Sequence, residues 1–157
     1  MQTLNGHCVR NDADSYLPDV GAWRRAIGNW NFTDDGGATG TYTLFTVTGN
    51  VYLHGFFATC ATTCTIAVGA TAEVGITGNT AELIAQTAGD AITEGLTWQD
   101  ATPEANPAPV ILLAHSFSLA AGADIIMTIG TDAFTAGSID FYCLWLPMSN
   151  DGAVIGL

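Results

Sequence analysis

GSIDFYCLWLPMSNDGAVIGL, residues 137–157, contains the stretch on which the reading of the fold turns. Taken with the two-residue repeat of a strand, Ile139, Phe141, Cys143, Trp145 and Pro147 point to one side, and Tyr142, Leu144, Leu146 and Met148 to the other. Both sides are apolar. An antiparallel sheet in a small domain usually covers one face with its own core and turns the other to water, so this strand requires a second cover. A neighbouring copy of the chain can supply it, which makes Tyr142, Leu144, Leu146 and Met148 the expected subunit interface. Burying several of them would contribute about 1.5–3 kcal/mol each before association costs. Closed cyclic symmetry would let such strands meet without leaving a free edge.

Working back from this segment, strand signals recur at near-regular spacing. TYTLFTVT (41–48) and VYLHGFFATC (51–60) are separated by Gly49-Asn50, which predicts a two-residue hairpin. TCTIAVGAT and AEVGITGN are short segments punctuated by glycine. NTAELIAQTAGDAI (79–92) suits a short helix or a loop excursion, with Asn79 or Thr80 as N-cap and Glu82 in the first turn. TEGLTWQD reads as a brief strand and DATPEANPAP as a proline-rich loop, and PVILLAHSFSLA and ADIIMTIGTD precede the closing strand. About eight short strands with regular turns predict an all-β antiparallel sandwich, jelly-roll-like, as a single body over residues 41–157. No repeat of 20–50 residues points to a propeller or solenoid.

Residues 1–40 differ from the body. They hold Trp23 and Trp30, all the arginine, and the glycine-rich DDGGATG, without a sustained period of either kind. The expectation is an N-terminal extended arm, with a helical turn around Gly21–Ile27, joined flexibly to the body. Its Trp23, Ile27 and Trp30 either fold back on the domain or anchor it to something else.

Charge narrows the function classes. The net charge is −12 with no lysine; from Ala26 onward there are twelve acids and neither Lys nor Arg. Such a surface is a poor partner for nucleic acid, whose affinity comes mainly from neutralising phosphates. No apolar run reaches membrane-spanning length, and MQTLNGHCVRNDAD lacks a signal peptide's basic and apolar regions, so synthesis in the cytoplasm is expected.

Residue clusters with chemical potential are few. Cys60 and Cys64 flank Ala-Thr-Thr; in a hairpin they could face one another as a disulfide, stay as buried thiols, or hold a metal, although no second pair at ligand spacing completes a zinc site. Asp12-Ala-Asp14 and Asp34-Asp35-Gly36-Gly37 offer too few oxygens for calcium and read as solvated turns. His54, His115 and Ser116 could be drawn into a triad, but histidines within apolar strands are more commonly packed and bonded to backbone. No nucleophile elbow, Walker loop, zinc-protease motif or dinucleotide fingerprint is present. The expectation is a non-enzymatic protein without cofactor or metal, the alternative being a carbohydrate- or receptor-binding module that uses its tryptophans as a stacking platform.

The order TLFTVTGNVYLHGFFATC, TTCTIAVGATAEVGI, TAELIAQTAGDAI, VILLAHSFSL and finally TAGSIDFYCLWLPMSNDGAVIGL resembles the small β-sandwich virion proteins of tailed bacteriophages, over about 115 of the 157 residues. The resemblance implies a capsid decoration or cement protein, or a related head or tail accessory. It also implies a homo-oligomer, with a trimer as a common form, on a shell of major capsid protein in the virion, and no catalytic residues. The cysteine and tryptophan content departs from that pattern. Trp23, Arg24, Arg25, Ile27 and Trp30 are then the expected shell-docking residues, by apolar anchoring and charge pairing.

Overall fold

The computed structural model describes residues 23–105 and 118–157 throughout, and residues 9–10, 16–17 and 117 as strand backbone. In chain order the elements are β1 (Val9–Arg10), β2 (Tyr16–Leu17), β3 (Arg24–Asn31), α1 (Phe32–Asp35), β4 (Gly40–Thr48), β5 (Val51–Ile66), β6 (Thr71–Ile76) and β7 (Asn79–Ala88). A 3-10 turn (Gly89–Ala91) follows, then β8 (Leu96–Trp98), β9 (Glu104–Ala105), β10 (Phe117–Leu119), β11 (Ile125–Gly130), β12 (Phe134–Pro147) and β13 (Ala153–Gly156). Apart from the small β1-β2 pair, the strands form two antiparallel sheets packed as a sandwich, in agreement with the expected class. One sheet runs β3-β12-β5-β8-β9, with β10 also on β5; the other runs β13-β4-β11-β6-β7.

The closing strand behaves as its period dictates. Ile139, Phe141, Cys143 and Trp145 are buried, while Tyr142, Leu144 and Leu146 alternate with them on the outer side. β12 lies between β3 and β5, bonded to both. Its inner face meets Phe56 and Trp98 around Phe141, with ring centroids 6.1 and 6.2 Å away. The sheets are also tied by a buried polar contact: Trp98 on β8 donates its indole N–H to Thr87 Oγ1 on β7 at 2.9 Å. A buried indole needs such a partner, because water is not available to replace it.

Consecutive strands cross between sheets more than the local signals indicated. The hairpin expected at Gly49-Asn50 does not form: β4 belongs to one sheet and β5 to the other, so the dipeptide is a corner. The reason lies in the turn beside it. Asn50 donates its N–H to Ser149 Oγ at 2.8 Å, and its carbonyl accepts from the N–H groups of Met148 and Ser149. Gly49, at φ +57, packs so closely that a Cβ would lie 2.5 Å from Ser149 Oγ. Two sheet-changing connections, 49–50 and 148–152, are thus stapled side by side.

Three further expectations are corrected. Residues 79–88 form strand β7, hairpinned with β6 through Thr77-Gly78, and only Gly89–Ala91 turns helically. Cys60 and Cys64 do not flank a hairpin turn but lie within the continuous strand β5. Residues 24–31 form neither a helical turn nor a detached arm, but edge strand β3, paired with β12 from Asn31↔Ser138 to Arg24↔Trp145. The supposed flexible link is ordered: Asn31 Oδ1 caps α1 by accepting from Thr33 N–H at 2.9 Å, and the Gly37 carbonyl accepts from Phe134 N–H at 2.8 Å. A boundary at residue 40 therefore does not separate arm from body over the described part of that segment. The two sheet edges meet where Asn29 N–H donates to Leu157 O and Leu157 N–H to Leu44 O, both at 3.0 Å, which covers edges that would otherwise be open to pairing.

Candidate functional site

The outer face of β3, β12 and β5 brings together the two residue sets that the sequence singled out separately. Register pairs Ile27 with Tyr142 and Arg25 with Leu144 across β3 and β12. On the other flank Tyr142 pairs with Phe57, and Leu146 with Tyr52, across β12 and β5. Residues opposite one another on one face are side-chain neighbours, so the result is a continuous band of apolar and aromatic groups. Ile27 is 49% exposed and Met148, at the end of the band, 59% exposed. Tyr142, Leu144 and Leu146 are half-buried by their own neighbours.

At one end of the band Trp23, 47% exposed, stacks on His54 with ring centroids 4.1 Å apart, and Tyr52 lies 6.1 Å from the indole. Stacking of this kind orders the rings without removing them from solvent.

The five expected docking residues split by strand parity. Trp23, Arg25 and Ile27 fall on the outer side, whereas Arg24, Ala26, Gly28 and Trp30 alternate on the inner side. Trp30 is corrected from a docking residue to a core residue: it is 1% exposed and lies edge-on to Phe134 at 5.6 Å. Arg24 keeps its guanidinium over the Trp145 ring at 5.4 Å, a cation–π contact at the edge of the core. Trp98 and Trp145 are buried as well, so of the four tryptophans only Trp23 offers a face to solvent.

The remaining chemistry lies elsewhere. Among the described residues no group of three or more His, Cys, Asp or Glu side chains could hold a metal ion. The Asp34-Asp35 pair sits in the first turn of α1, where Asp35 accepts the Asn31 N–H at 2.8 Å. His7, Cys8, Asp12, Asp14, His115 and Ser116 lie outside the described residues, and of Arg10 only the backbone is described. Cys60 and Cys64 are buried, unbonded thiols, and Cys143 is a third, whose ionisation burial pushes up to about 12.

Parity could have foretold that Trp30 opposes Ile27 on β3. The missing signal was hydrophobic alternation, because the inward residues between the two ends of the strand are Ala26 and Gly28.

No family model matches the chain, and no curated protein matches it in sequence. Among solved structures, it is similar in fold to a chain of the structure titled "Acidic stable capsid structure of Helicobacter pylori bacteriophage KHP30". The TM-score is 0.51 at 8% identity, over 87% of this chain and 94% of that one. The likeness covers nearly the whole of both chains and establishes a shared fold.

Proposed function

We propose that the protein is a non-enzymatic structural component of a phage virion, of the capsid decoration or cement type, which assembles with copies of itself on the head shell. The observation that carries this reading is the apolar band across β3, β12 and β5, on a sandwich whose fold is shared with a chain of a phage capsid structure. A capsid places many copies of a chain in symmetric contact, so a second copy is the natural cover for such a band. Tyr142, Leu144, Leu146 and Met148 form the centre of the contact between copies, and a trimer is the expected closed form. Trp23, Arg25 and Ile27 lie on the same outer face and serve the contact with the major capsid protein or another virion protein, while Arg24 is turned inward over Trp145. The excess of acids elsewhere keeps the outward surface soluble and turns nucleic acid away. Synthesis in the host cytoplasm precedes incorporation.

The test is the mass of the purified full chain by light scattering, together with its occupancy on purified particles. A whole multiple of the chain mass and stoichiometric occupancy are expected. A lone chain at high dilution that also fails to bind particles would overturn the reading.

A second reading has its own observation. The Trp23, His54 and Tyr52 cluster is an exposed, ordered aromatic platform of the kind that receives a sugar ring. It would make the protein a carbohydrate- or receptor-binding module of a head or tail spike. Saturable quenching of Trp23 fluorescence by a glycan, lost in Trp23→Ala, would favour it over the cement role.

A further inference from the structure

We propose that copies of the chain meet across the outer band with their strands running in opposite directions, so that Arg25 of one copy lies against Asp140 of the other. This rests on the copy-to-copy contact proposed above and names a second copy as the virion protein that Arg25 meets.

The band carries its charge at its two ends. Outward positions on β3 and β12 form three successive rows in register: Arg25 beside Leu144, Ile27 beside Tyr142, and Asn29 beside Asp140. The middle row is apolar, and on its β5 side Phe57 stacks on Tyr142. Arg25 stands in the first row and Asp140 in the third; no other Lys, Arg, Asp or Glu falls on an outward position of β3, β12 or β5. Rows on one face are two residues apart, so the backbones at Arg25 and Asp140 of one copy are separated by about 13 Å, too far for the side chains to pair.

Both charges have bonding capacity to spare. Arg25 is exposed, with Leu144 across from it and Trp23 and Ile27 two residues away in its own chain. Asp140 accepts from Asn29 Nδ2 at 2.7 Å. A carboxylate has room for several such bonds, and a guanidinium offers a planar fork of donors that fits it. Within residues 24–157 Arg25 is the one cation on this face, because Arg24 is turned over the Trp145 ring at 5.4 Å and the chain has neither Lys nor Arg from Ala26 onward.

Covering the band withdraws both charges from water, and a charge buried without a partner is costly. That cost separates the two directions in which facing strands can run. Parallel across the contact, like rows oppose each other, and Arg25 meets Arg25 while Asp140 meets Asp140. Antiparallel, with the Ile27–Tyr142 rows superposed, Arg25 comes level with the Asn29–Asp140 pair of the other copy, and apolar middle covers apolar middle. Facing sheets pack about 10 Å apart, a gap that side chains from the two copies span together. A ring of three meets the same condition head to tail, the Arg25 end of each band adjoining the Asp140 end of the next. The net charge of −12 makes the alignment selective, since acidic copies repel one another unless the cation on this face is set against an acid.

The experiment is sedimentation equilibrium of the full chain and of Arg25→Asp, Asp140→Arg and the double swap, with a cooperative thermal transition as the check of folding. Each single reversal is expected to weaken association by at least about tenfold, because it sets like charges together. The double swap restores opposite charges and is expected to return association to within about threefold of the unsubstituted chain. An unsubstituted chain that associates, with single reversals that leave the association unchanged or a double swap no stronger than they are, would overturn the Arg25–Asp140 pairing and leave the copy-to-copy contact standing. An unsubstituted chain that stays single at every concentration would overturn both. If Asp140→Arg loses its cooperative transition, Arg25→Gln and Asp140→Asn take the place of the reversals. Each is then expected to weaken association, and the two together no more than either alone; effects that add would overturn the pairing.

Discussion

Phe57 on β5 and Tyr142 on β12 stack with ring centroids 5.0 Å apart and planes 17° from parallel, on the outer face of the sandwich. Aromatic pairs of this geometry contribute about 0.5–1.5 kcal/mol beyond their buried area. Their rings are thus ordered before any partner arrives, which lowers the entropic cost of covering them.

Association should therefore be sensitive to charge placed in this band. For the proposed oligomer, Ile27→Asp combined with Leu144→Asp is expected to give single chains at concentrations where the unsubstituted chain has a multiple of the chain mass, weakening each contact by about 1.5–3 kcal/mol per buried side chain. Sedimentation equilibrium measures the mass, and a cooperative thermal transition in the variant shows that the sandwich itself persists.

Trp30 and Trp23 should respond in opposite ways. Trp30→Ala empties a core site and is expected to cost about 3–5 kcal/mol in urea unfolding, while Trp23→Ala stays near about 0.5 kcal/mol. The Trp30 indole N–H is buried without a partner, so Trp30→Phe should cost far less than Trp30→Ala. Acrylamide should quench Trp23 alone among the four.

The contact between Thr87 and Trp98 ties one sheet to the other. Thr87→Val leaves the indole N–H without its acceptor and is expected to cost about 1–3 kcal/mol. A double-mutant cycle with Trp98→Phe, read by denaturant midpoints, should return a coupling that the single substitutions do not explain.

Cys143 links stability to alkaline pH. Its pKa rises from 9.0 to about 12 through burial, so above pH 9 the unfolded chain loses a proton that the folded chain keeps. Stability contributed by the neutral thiol is complete below 9 and falls as pH rises toward 12. The slope approaches about 1.4 kcal/mol per pH unit for this one group. Urea midpoints across that range should show the decline, and Cys143→Ala, lower in stability overall, should make it shallower, the buried Cys64 thiol, also raised, retaining its share.

Some of the fold was legible in the letters. The two faces of 139–148 follow from a period of two, which is a local property of extended backbone, and Phe141 and Tyr142 fall on the sides that parity assigns. The strands at 96–98 and 125–130 were readable for the same reason. Residues 79–88 were not, because Ala, Glu, Leu and Gln are good helix formers and pairing with β6 overrides that preference. β3 was hidden by its small inner residues. Gly28 lies where the chains crowd, a Cβ there reaching 2.7 Å from Leu44 O, so the close approach removed the apolar alternation that would have revealed the strand.

Taken alone, the sequence determined an acidic, all-β chain with one strand apolar on both faces, since composition and residue parity need no knowledge of neighbours. Only the tertiary structure decided that Gly49-Asn50 turns a corner between sheets, that Ile27 sits beside Tyr142, that Trp30 is core, and that Cys60 and Cys64 lie within one continuous strand. Each of these depends on contacts with segments distant in the chain or on bulges forced by the partner strand, and a local pattern carries no information about which distant partner a strand will find.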